Sequence, residues 1–125
     1  MQNQSLKFKT DLKSRSYKYS LIIIDFIDKL PKDMSTHIIA KQLLRSATSI
    51  GANIVEAQAS SSKKDFTNFF SYSLKSANES SYWLGLLSDS NKTDKSIIEP
   101  LLQETKEIAN ILGASILTLK GKNKF

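Results

Sequence analysis

Apolar residues recur along this chain at alternating intervals of three and four, the period of helices that each bury one face. From about Asp11 to Leu30 the repeat runs through Leu12, Ser16, Tyr19, Ile23, Phe26 and Leu30. Pro31 ends this first helix, because the residue before a proline is pushed out of the helical region. Asp33, Ser35 and Thr36 offer N-cap oxygens for a second helix reaching about Ala59. A serine-rich connection, Gln58 to Ser62, leads into a capping box of Ser62 and Asp65, and a third helix extends from there to about Leu87. Ser88 to Asp94 reads as a polar turn. The fourth helix carries Ile98, Leu101, Leu102, Thr105, Ile108, Ala109, Leu112, Ile116 and Leu119 on one stripe, with Pro100 in its first turns, where a missing N–H is tolerated best. Helices of roughly 20 to 27 residues are about 30 to 40 Å long. Connections of about five to seven residues make successive helices antiparallel neighbours. The pattern predicts an all-α, up-down-up-down antiparallel four-helix bundle occupying residues 1–125, with termini (about 1–10 and 120–125) expected to fray.

The second helix has two unlike sides. Ile39, Leu43, Ala47, Ile50, Ile54 and Ala57 form an apolar stripe that Leu44, Gly51 and Val55 widen, while Gln42, Arg45, Ser46, Ser49, Asn53 and Glu56 project from the opposite arc. That arc is mostly uncharged, unlike a freely solvated face. On the third helix Phe66, Phe69, Phe70, Ser73, Leu74, Ala77, Leu84 and Leu87 face inward, and Tyr72, Lys75, Glu79, Tyr82, Trp83 and Leu86 lie opposite. Aromatic rings on an outer face favour an interface, where a large apolar body and a polar tip are both used. The two helices are therefore expected to mediate self-association. An Arg45 contact with Glu79 or Glu56 would fix helix register or subunit orientation.

Composition narrows the functional classes. A chain of 125 residues without cysteine holds one core and neither disulfides nor thiolate metal sites. Its longest apolar run, Leu21 to Ile24, is far short of a membrane span, and Met1 to Ser20 is polar and basic rather than a hydrophobic signal core. A cytoplasmic location is the expectation. The net charge of +6 is concentrated at the termini: Lys7, Lys9, Lys13, Arg15 and Lys18 stand against Asp11 alone, and Lys120, Lys122 and Lys124 close the chain. Solvated tails account for this simply; the functional reading is a polyanion-attracting surface that oligomerisation would multiply.

The run Gln42-Leu-Leu-Arg-Ser-Ala-Thr-Ser-Ile-Gly-Ala-Asn-Ile-Val-Glu56 resembles the signature of the four-helix bundle proteins encoded in intervening sequences of bacterial 23S ribosomal RNA genes. The likeness continues through Ser62-Lys-Lys-Asp-Phe66 and Lys75-Ser-Ala-Asn-Glu79-Ser-Ser-Tyr-Trp83-Leu, with Ser76 replacing an acidic residue common in relatives. As a pattern it spans roughly Leu12 to Leu119, but only Gln42 to Leu84 is distinctive. The resemblance implies a closed bundle and a ring-like homo-oligomer, typically a pentamer. It also relates the chain to the basic accessory bundle of diversity-generating retroelements, which associates with nucleic acid and a reverse transcriptase.

Catalytic apparatus is missing from the pattern. His37 is the single histidine, no Glu-x-x-His pair appears, the serines lack an activating base, and Gly51, Gly85, Gly113 and Gly121 are isolated. No catalytic or metal-ligating residue and no cofactor is expected. Two readings follow. In the first, a homo-oligomer binds RNA or DNA phosphate through Lys7, Lys9, Lys13, Arg15, Lys18, Lys120, Lys122 and Lys124, helped by Tyr17, Tyr19 or Phe125 stacking on bases. In the second, an adaptor bundle binds a protein partner through its aromatic face without nucleic acid. Gln42, Arg45, Ser49, Asn53, Glu56, Tyr72, Glu79 and Trp83 are the expected oligomer or structural residues.

Overall fold

The computed structural model describes the backbone over residues 4–121 and side chains over residues 11–121. Four helices follow in order: α1 Gln4–Asp28, α2 Met34–Ala59, α3 Lys63–Asp89 and α4 Lys95–Leu119. Each packs on its neighbours in sequence, most extensively α2 on α3 and α3 on α4. The backbone of α1 meets that of α4 only sparsely, and diagonal backbones stay apart. This is the antiparallel four-helix bundle that the apolar pattern predicts.

The caps explain the boundaries. Asp33 accepts hydrogen bonds from the Thr36 amide at 3.3 Å and the Thr36 hydroxyl at 2.8 Å, and Lys92 donates to it at 3.0 Å from the α3–α4 turn. These bonds, Thr36 first and Lys92 next, hold its carboxyl well below the usual carboxylate range. Ser62 caps α3 by accepting from the Asp65 amide at 3.0 Å. At the end of α3, Asn91 adopts φ 62°, and the Lys92 and Asn91 amides close back on the Leu87 and Ser88 carbonyls, a Schellman arrangement. Pro100 is exposed in the second turn of α4.

Several details depart from the pattern reading. Helix α1 begins at Gln4 rather than near Asp11, since no proline or glycine interrupts residues 4–10. Two connections are tighter than expected, residues 60–62 between α2 and α3 and residues 90–94 between α3 and α4, and Ser88 is helical and buried. Ser46, expected on the polar arc, is fully buried. Leu44 and Val55, expected to widen the buried stripe, are 38% and 44% exposed. A helix flanked by neighbours on two adjacent sides has its buried arc rotated toward the more intimate one, here α3.

The core runs the length of the bundle through Leu12, Tyr19, Ile23, Leu43, Ile50, Ile54, Phe70, Ala77, Leu84, Leu87, Ile98, Ile108 and Leu112. A layer of hydroxyls crosses its middle. The Tyr19 and Thr105 oxygens are 2.5 Å apart, linking α1 to α4, and those of Ser46 and Ser80 are 2.8 Å apart, linking α2 to α3. Thr105 donates to the Leu101 carbonyl, which leaves Tyr19 as the donor between α1 and α4, while Ser46 and Ser80 each also reach a carbonyl of their own helix, Leu43 and Ser76, so either can donate across the α2–α3 pair. Burial pushes the Tyr19 phenol up to about 12, so it stays protonated. Among the described residues no buried side-chain nitrogen or oxygen lacks a partner, which keeps this polar layer from destabilising the core.

Candidate nucleic-acid interface and the signature network

Antiparallel packing turns a charge imbalance along the chain into one between two ends of a rod. The start of α1, the end of α2, the start of α3 and the end of α4 share one end. Ser60, Ser61, Ser62, Lys63, Phe66 and Leu119 line a single hollow there of about 300 Å³, which sets Lys120 beside the α2–α3 turn. Exposed Lys13, Lys63, Lys64 and Lys120 populate this end, with Lys18 further along the shaft, against Asp11, Glu56 and Asp65. At the other end Lys29, Lys32, Lys41, Lys92 and Lys95 are outnumbered by Asp25, Asp28, Asp33, Asp89, Asp94 and Glu99.

The expected phosphate-contacting residues separate into groups. Lys13, Lys18 and Lys120 are solvent-facing. The side chains of Lys7 and Lys9, and all of Lys122, Lys124 and Phe125, lie outside the described residues. Arg15 has a different partner from the one expected. It forms a fork on Glu104, with both bonds at 2.7 Å, and a third 2.7 Å bond to Glu107. Glu104 first and Glu107 next drive the guanidinium pKa further upward, while Gln103 and then Arg15 lower that of Glu107. Arg15 thus ties α1 to α4 through Nε and Nη2. Tyr17 is exposed, but Tyr19 is buried in the hydroxyl layer and has no face for a base. Lys63 and Lys64 do not stand out in the sequence, where the excess charge sits at the two termini, but the α2–α3 turn returns to the same end. The Ser62 cap was the signal that could have placed them.

The signature residues of α2 form a ladder along the outer edge of the α2–α3 seam. Arg45 donates through Nε and Nη2 to Gln42 Oε1 at 3.1 and 3.0 Å, and through Nη2 to Glu79, which also accepts from Trp83 Nε1 at 2.9 Å. Ser49 donates to the Arg45 carbonyl at 2.8 Å and Asn53 to the Ser49 carbonyl at 2.9 Å. Of the two carboxylates weighed for Arg45, the structure pairs it with Glu79, while Glu56 is exposed. Trp83 is half-buried against this pair, and Tyr72 and Tyr82 face solvent. With side chains 55% and 34% exposed, the Arg45–Glu79 pair adds little stability in water. Its Glu79 Oε2 atom accepts from Arg45 of α2 and from Trp83 of α3, so the contact joins the two helices.

No helix among the described residues is long and apolar enough to cross a membrane, and none of their His, Cys, Asp and Glu side chains form a group of three able to hold a metal. Comparison with solved structures gives a protein of unknown function from the S23 ribosomal protein family of Bacteroides thetaiotaomicron. It is 34% identical, with a TM-score of 0.81, over 86% of this chain and 96% of that one. No curated protein matches. The family model for the 23S rRNA-intervening sequence protein matches residues 9–114, a span that contains the α2 ladder, its α3 partners and the hydroxyl layer. The chain belongs to the 23S rRNA-intervening sequence protein family.

Proposed function

We propose that this protein is a non-enzymatic homo-oligomer, with a pentamer favoured, that binds RNA or a ribonucleoprotein through basic bundle ends presented in several copies. The observation that carries this reading is the convergence of Lys13, Lys63, Lys64 and Lys120 on one end of the rod, where the sequence adds Lys7, Lys9, Lys122 and Lys124. Lysines without an accompanying arginine fork contact phosphate as point charges and read no bases. One such end binds weakly; several held together bind through effective concentration. The oligomer number rests on the family resemblance.

The test is fluorescence anisotropy with labelled single-stranded RNA across a salt series. The logarithm of the wild-type affinity is expected to fall linearly with that of salt. Replacing Lys63, Lys64 and Lys120 by Gln weakens all sequences alike and reduces the slope by about 0.7 per lost contact on a single strand. Replacing Lys120, Lys122 and Lys124 by Gln acts in the same direction. Lys32→Gln with Lys95→Gln, at the far end, leaves binding intact. Absence of RNA binding at low salt, together with capture of a defined protein, overturns the reading in favour of an adaptor.

A further inference from the structure

Two faces of the bundle carry exposed apolar side chains, and their shapes are opposite. Between α1 and α2 runs an apolar groove of about 600 Å³, floored by Gly51 and Ala52 and walled by Tyr17, Thr48 and Val55. The floor is low because the two helices nearly touch: a Cβ on Gly51 would stand 3.1 Å from the Ser16 hydroxyl. Leu21 and Ile24, four and seven residues after Tyr17, continue one wall, and Leu44, four before Thr48, continues the other; all three are exposed. The α3 outer face is instead a ridge, Tyr72, Lys75, Glu79, Tyr82 and Leu86, at intervals of three and four. Its tyrosine rings are braced outward, Tyr82 edge-on to Trp83 at 5.0 Å and Tyr72 edge-on to Phe69 at 5.9 Å.

We infer that the α3 ridge of one copy seats in the α1–α2 groove of the next, so that each chain uses two different faces and the copies join head to tail. The inference rests on the homo-oligomer reading and specifies its contact. Groove and ridge are each too one-sided to pair with themselves, concave against concave or convex against convex. A face of two helices about 37 Å long and roughly 20 Å across offers about 740 Å². A standard interface needs about 800 Å² per partner. Nucleic acid is a poor occupant of the groove, where Lys13 is the one cation among the described lining residues; seating a ridge there takes Lys13 and Tyr17 away from phosphate and base, and leaves Lys63, Lys64 and Lys120 as the described cations of the basic end. Contacts between unlike faces close into rings when the rotation allows. Rotation about an axis along the helices leaves every basic end on the same side of the ring, the arrangement that multivalent phosphate binding needs.

The test uses light scattering on two variants, Ala52→Arg in the groove and Tyr82→Arg on the ridge, with helicity measured by circular dichroism. Both positions are exposed, Tyr82 by 61%, so folding is expected to survive. Each variant alone is expected at the chain mass of 14.0 kDa. Mixed together they should form a heterodimer of twice that mass, because one keeps a sound ridge and the other a sound groove. Val55→Arg paired with Tyr72→Arg repeats the experiment should either first variant lose helicity. A monomeric wild type overturns the homo-oligomer reading as well. A wild-type assembly that both variants preserve overturns the face assignment alone, and variants that dissociate but do not complement each other overturn head-to-tail pairing.

Discussion

The α2–α3 and α1–α4 pairs are both antiparallel neighbours of similar length, yet different chemistry holds them. Along α2–α3 the backbones run close because Ser46, Ser73 and Ser80 are small, and their hydroxyls are bonded within the seam, Ser73 to the Ile50 carbonyl at 2.8 Å. Along α1–α4 the backbones meet less, and long side chains span the gap: Tyr19 to Thr105 inside and Arg15 to Glu104 and Glu107 outside. The distinctive stretch from Gln42 to Leu84 lies on the first pair. Several of its polar residues are bonded within or along that seam, whereas Lys63 and Lys64 face solvent at the bundle end.

The largest expected effect comes from filling the close seam. Ser46→Leu forces extra volume against Ser80 and should cost about 1–3 kcal/mol. The corresponding enlargement on α4, Ala109→Leu at a half-buried position, should stay within about 0.5 kcal/mol. Urea unfolding at one fixed protein concentration checks both, and equal losses would erase the contrast. Next comes Tyr19→Phe, which removes the hydroxyl spanning α1 and α4 and should cost about 0.5–1.5 kcal/mol. Arg15→Gln is smaller, within about 1 kcal/mol, because the pair is part-exposed. That loss should shrink in added salt, while RNA affinity measured beside it stays unchanged. An Arg15→Gln protein with a flattened salt slope for RNA would return this residue to the phosphate-binding group.

The smallest effect is a pH dependence at the acidic end. The folded-state pKa of Asp33 is depressed, so its contribution is fully present above the unfolded value, about 4. It is lost as pH falls from there through the folded value. Thermal melts of wild type and Asp33→Ala should differ at pH 7 and converge in strong acid. A difference that persists unchanged to pH 2 would remove the carboxylate from the account.

Four helices, their caps at Asp33 and Ser62, and most of the core were legible in the chain, because a period near 3.6 and short capping patterns are local properties. The Arg45–Glu79 pair was within reach too, since both residues belong to outward arcs of adjacent helices. Arg15 was not: a cation in a basic segment looks available until α4 brings Glu104 and Glu107 to it from about ninety residues away. Ser46 shows the same limit from the polar side. A hydroxyl reads as surface, and only hydroxyls from other helices make its burial tolerable. By itself the sequence determined which segments coil and which stripe each one hides, through intervals of three and four. Tertiary structure alone decided how far each stripe rotates toward its closer neighbour, which charges are already paired, and that Lys63 and Lys64 share an end with Lys120, because those depend on helices meeting across the bundle.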